Sequence, residues 1–96
     1  MIDLYDITSA IADQLNTTLV LHRSMIAHPT YKVFKVFCYK LYKIESKGST
    51  LIDSFEETRR VTSDTIENAW EECDKLYLNK LMKWIIKDNC TIKEDA

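Results

Sequence analysis

Residues 64–87, DTIENAWEECDKLYLNKLMKWIIK, carry the pattern from which the fold is read. Ile66, Trp70, Cys73, Tyr77, Leu81 and Trp84 recur at a 3.6-residue period, with Ala69 and Leu76 beside them. That spacing predicts a long helix lying with one face on its own core. A second row runs along the same helix: Asp64, Glu67, Glu71 and Asp74, continued by Leu78, Met82 and Ile85. This edge is acidic in its first half and apolar in its second, so one helix offers a face for folding and another for a partner.

The ends of this helix are marked by charge and capping residues. Thr62 as N-cap would let Val61 staple onto Ile66, and Asp64 as N-cap would form a capping box with Glu67. Acids crowd the first turns and Lys80, Lys83 and Lys87 the last, as the helix dipole favours. Asp88 and Asn89 supply a left-handed stop, and residues 93–96 read as a frayed tail.

Upstream, residues 30–45, TYKVFKVFCYKLYKIE, are dense in aromatic and β-branched residues and predict a strand. Phe34, Val36 and Cys38 share one face while Phe37, Tyr39 and Leu41 share the other. The expectation is a sheet covered on both sides, paired with a second copy, or shifted by a bulge. Residues 46–49 form a hairpin turn, and 50–61 the returning strand. A Lys47-Gly48 turn sets Ile44 opposite Leu51. A slip of one residue instead sets Lys43 opposite Asp53, Lys40 opposite Glu56 and Leu41 opposite Phe55.

The chain opens with a predicted helix over 3–16, capped by Asp3 or Asp6 and carrying Leu4, Ile7, Ile11 and Leu15 at helical spacing. A strand follows over 19–27 and is stopped by His28-Pro29. The expected fold is therefore α+β: a three-stranded antiparallel β-meander with an N-terminal and a long C-terminal helix, α-β-β-β-α, in one domain over 1–96.

Composition narrows the function. Of 96 residues, 46% are hydrophobic and 29% charged, which suits a folded domain with one modest core. No apolar run is long enough to span a bilayer, and the N-terminus lacks a basic start and apolar run, so a cytosolic chain is expected. Three scattered cysteines, Cys38, Cys73 and Cys90, suit buried thiols better than a disulfide framework. With His22 and His28 they make no close pair at metal-ligand spacing, and no cofactor is implied. A single glycine, Gly48, excludes a glycine-rich phosphate loop. Neither Cys38 nor Cys73 sits in a setting that would activate a thiolate, so no enzymatic activity is expected.

The net charge of −2 conceals segregation. From Leu19 to Thr50 the chain carries Arg23, Lys32, Lys35, Lys40, Lys43 and Lys47 against Glu45 alone; from Asp53 to Asp74 it carries Asp53, Glu56, Glu57, Asp64, Glu67, Glu71, Glu72 and Asp74 against Arg59 and Arg60. Two binding surfaces follow. Residues 31–43 interleave aromatics with lysines, as a nucleic-acid-binding hairpin would. The acidic set, Asp53, Glu56, Glu57, Asp64, Glu67, Glu71 and Asp74, would attract a basic protein surface, with Leu78, Met82 and Ile85 as its apolar anchor. Self-association through Leu78, Met82 and Ile85 into a homodimer or larger assembly is a third reading.

Small size, richness in Lys, Ile, Asp and Tyr, and the lack of a catalytic motif resemble the small accessory proteins encoded by bacteriophages. The resemblance lies in composition across the whole chain. It implies a protein of the host cytoplasm that binds and inhibits a host protein, here through acids facing the target's nucleic-acid-binding surface.

Overall fold

The computed structural model describes residues 3–85. Within them the chain runs α1 (Leu4–Gln14), β1 (Thr18–Ala27), β2 (Phe34–Glu45), β3 (Gly48–Arg60) and α2 (Ile66–Trp84). The strands form one antiparallel sheet in the order β1-β2-β3, so the architecture is the predicted α-β-β-β-α. The expected stop at Asp88-Asn89 and the tail over 93–96 lie outside the described residues.

Helix α1 is closed by local chemistry at both ends. An Asp3 side-chain oxygen accepts from the N–H groups of Tyr5 and Asp6 at 3.0 and 3.2 Å. At the far end Asn16 takes a left-handed φ of 55°. The Asn16 N–H then reaches the Asp13 carbonyl, and the Thr17 N–H the Ala12 carbonyl, which is a Schellman stop. Helix α2 starts later than either predicted cap. Thr65 is its N-cap, but its hydroxyl turns back to accept from the Thr62 N–H at 2.8 Å, so no side chain caps the first turn.

The hairpin follows neither predicted register. Glu45 pairs with Gly48 across a Ser46-Lys47 turn, which sets Tyr42 opposite Leu51. A bulge then skips Ile52, so Leu41 faces Asp53 and Tyr39 faces Phe55. Ser46 and Lys47 keep negative φ, and the positive φ falls on the exit residue, Gly48, at 139°. The glycine is needed after the turn rather than inside it. Asp53 thereby moves onto the helix-covered face, where Lys80 meets it.

Both helices pack on the same side of the sheet. Leu4 from α1, Leu21 from β1, Phe37, Tyr39 and Leu41 from β2, and Ala69, Cys73, Tyr77 and Leu81 from α2 form one core. Tyr39 stacks on Tyr77 at 4.9 Å, and Phe37 meets Trp70 edge-on at 4.7 Å. The opposite face, which bears Val20, Ile26, Val36, Tyr42 and Leu51, has no second layer among the described residues. Of the three expected arrangements, the bulge is present, and cover on both sides is not seen among the described residues. Phe37, Tyr39 and Leu41 of β2 point to the helices, and the other face alternates apolar groups, Phe34 and Tyr42 among them, with Lys40, Ser54 and Glu56.

Two tests follow from the core. Leu81→Ala should cost about 2–5 kcal/mol in urea unfolding, whereas Leu76→Ala, on the exposed side of α2, should stay within about 0.5 kcal/mol. Burial pushes the Cys73 thiol from 9.0 up to about 11. The folded chain thus holds this proton more tightly than the unfolded one, and the stability it contributes is intact below pH 9 and lost as pH rises toward 11. The melting temperature of the native chain should fall over that window, and that of Cys73→Ala should fall less.

Candidate functional site

Strand β1 places Arg23 on the helix-covered face, in line with Leu21 and Met25. A charge turned inward must find a partner or leave the fold. It finds Asp74 of α2: Arg23 Nη1 donates to Asp74 Oδ2 at 2.6 Å, and the Tyr39 hydroxyl donates to Oδ1 at 2.5 Å. Both carboxylate oxygens are satisfied although Asp74 is only 8% exposed. The guanidinium also lies over the Trp70 ring at 4.7 Å and the Tyr5 ring at 5.3 Å. One arginine thus connects α1, α2 and two strands.

The protonation states follow from this setting. Burial acts to lower the Arg23 pKa, but Tyr5 and Asp74 outweigh it and the net direction is upward. Burial first, and then the hydrogen bond to Asp74, push the Tyr39 phenol well above its ordinary value, so it remains a neutral donor. Tyr77 moves the same way through burial and the nearby Asp53 carboxylate.

Above this node is a cleft of about 500 Å³ between the start of α1 and the first half of α2. Asp3, Tyr5, Trp70, Glu67 and Glu71 line it, with Arg23 and Asp74 among its walls. Glu67 and Glu71 are exposed and make no ion pair among the described residues. The concavity therefore has an acidic rim and aromatic walls, and its one cation is already paired.

The ten residues expected to form a docking surface separate into distinct places. Asp64, Glu67 and Glu71 are exposed on or just before α2, and Glu56 is exposed on β3. Asp74 is buried in the node, Asp53 accepts from Lys80 at 2.5 Å, and Glu57 from Arg59 at 3.1 Å. Arg59 also reaches Glu72 at 2.8 Å. Leu78 and Ile85 pack against the core, and Met82 is exposed at 45%. The apolar continuation is therefore not one free stripe. Asp74 lies about 40° further round α2 toward Trp70 than Leu78 does, which carries it under the helix.

The hairpin aromatics are likewise divided. Phe37 and Tyr39 are core, Tyr31 is exposed, and Phe34 and Tyr42 lie half-buried on the uncovered face. The lysines divide too, Lys35 and Lys43 to the helix side and Lys40 to the other. Cys38 and Cys73 are buried free thiols, and the His28 ring accepts the N–H groups of Thr30 and Tyr31, which closes a turn. No group of three or more His, Cys, Asp or Glu among the described residues could hold a metal ion.

Arg23, Tyr5 and Trp70 were not expected at the site. The available signal was parity: Arg23 alternates inward with Leu19, Leu21 and Met25, so β1 carries a charge on its buried face. No helix among the described residues is long and apolar enough to cross a membrane. Comparison with known protein families, curated proteins and solved structures finds no match to this chain.

The node sets an order of mutational cost. Asp74→Ala should lose about 3–5 kcal/mol, because it strands the Arg23 charge. Tyr39→Phe should lose about 1–2 kcal/mol, and Glu71→Ala on the cleft rim less than about 0.5. Urea titrations monitored by tryptophan fluorescence measure all three.

Proposed function

We propose that this chain is a non-enzymatic protein-interaction module whose acidic cleft receives a basic surface of a protein partner. The observation that supports it is the cleft between α1 and α2. There Glu67 and Glu71 stand exposed and unpaired among the described residues, beside the rings of Tyr5 and Trp70. Carboxylates at a concave surface focus an attractive field on lysine and arginine, and the rings offer apolar contact to the methylene stems of those side chains.

Asp64 extends the acidic field beyond the helix start, and Asp3 extends it onto α1. Asp53, Glu57 and Asp74 are engaged within the chain and contribute structure rather than attraction. A protein that binds nucleic acid presents this kind of basic face, and covering it would inhibit that protein. Inhibition of a host protein in the host cytoplasm, by a protein of bacteriophage origin, is the biological setting that the composition suggests.

A lysine- and arginine-rich peptide is a direct probe. Amide shifts on titration should concentrate at Tyr5, Glu67, Trp70 and Glu71. Glu67→Lys with Glu71→Lys should weaken binding by roughly tenfold and flatten its salt dependence. Unchanged affinity in that double variant, or shifts centred elsewhere, would place the basic ligand on a different surface.

A further inference from the structure

We propose that β3 is a dimerisation edge, which pairs in antiparallel fashion with β3 of a second copy about a two-fold axis at Thr58. Independent of the cleft, this inference begins with the position of β3 at the end of the sheet. Its outer backbone groups have no strand beside them among the described residues. Such edges are usually protected by shortness, charged side chains (lysine above all), proline or a bulge, and the charges on this edge are of both signs. The bulge of β3, at Ile52, lies toward the hairpin, and from Asp53 to Arg60 the strand runs regularly without lysine or proline.

The direction of the peptide groups follows from one bond. The Val61 N–H donates to the Val33 carbonyl at 2.9 Å, and hydrogen-bonded pairs alternate along an antiparallel ladder. Phe55, Glu57 and Arg59 therefore bond inward to β2. Ser54, Glu56, Thr58 and Arg60 point their N–H and C=O groups out of the edge.

The sequence at that edge, Glu56-Glu57-Thr58-Arg59-Arg60, is complementary in charge to its own reverse. Set Thr58 opposite its copy, and Glu56 faces Arg60 while Glu57 faces Arg59, each twice by symmetry. The residues with outward peptide groups then meet one another, as the ladder requires. On the helix side, Arg59 already holds Glu57 and Glu72, so the second copy's Glu57 completes an alternating square of charge. On the uncovered side Glu56 and Arg60 are exposed and have no ion-pair partner in their own chain among the described residues.

The other edge, β1, does not share this property. It contains no acid, and self-pairing about Arg23 would oppose like charges. Because the shared ladder is short compared with a standard interface, the dimer should be reversible and concentration-dependent.

The register predicts an exchange experiment by sedimentation velocity. The native chain should move from its 11.3 kDa monomer toward twice that mass as concentration rises to about 1 mM. Glu56→Arg and Arg60→Glu each set like charges opposite and should weaken the dimer roughly tenfold. An equimolar mixture of the two variants restores both opposite-charge pairs and should associate at least as well as the native chain. Thr58→Pro, which removes an outward N–H, should be monomeric with an unchanged circular dichroism spectrum. A native chain that stays monomeric throughout overturns the proposal. So does a mixture that associates no better than its separate components.

Discussion

The molecule turns on a partly buried charge that it does not leave unpaired. Arg23 points into the core from the middle of an edge strand, and Asp74 meets it from the long helix. Two oppositely charged groups in a partly buried site are stabilising only while both are present and their remaining valences are filled. Tyr39 fills one on Asp74, and the rings of Tyr5 and Trp70 enclose the guanidinium, whose buried Nε has no hydrogen-bond partner among the described residues. The pair ties α2 to β1 at one point, through Arg23 and Asp74.

The same pair explains why one helix edge has two characters. Before Asp74, the carboxylates of Glu67 and Glu71 face solvent across the cleft. From Asp74 onward, the edge is drawn inward, and Leu78 and Ile85 join the core. Lys80 continues the inward attachment by meeting Asp53. Asp53, Glu57, Glu72 and Asp74 are each paired within the chain, whereas Glu67 and Glu71 on the rim make no ion pair among the described residues.

The element order was legible because its signals are local. The apolar period of residues 66–84, the aromatic density of 34–45, the capping Asp3 and the Pro29 break each act within a few residues. The hairpin register was not legible, because the positive φ falls on the residue after the turn and a bulge then absorbs Ile52. The start of α2 was misplaced because Thr62 and Asp64 satisfy capping rules in sequence, whereas the chain uses Thr65 to close a preceding turn. The coverage of the sheet also depended on tertiary placement, since alternating apolar residues do not state on which side a helix will settle. Of the site, Glu67 and Glu71 were legible as exposed acids. The fate of Asp74 depended on Arg23, 51 residues away in the chain.

A double-mutant cycle between Arg23 and Asp74, using Arg23→Met, Asp74→Leu and their combination, tests this account most directly. Unfolding free energies of the four proteins should give a coupling of about 2 kcal/mol or more, with the double variant more stable than Asp74→Leu alone. A coupling within about 0.5 kcal/mol of zero would contradict it, because the two side chains would then contribute independently and the ion pair would not hold the helix in place.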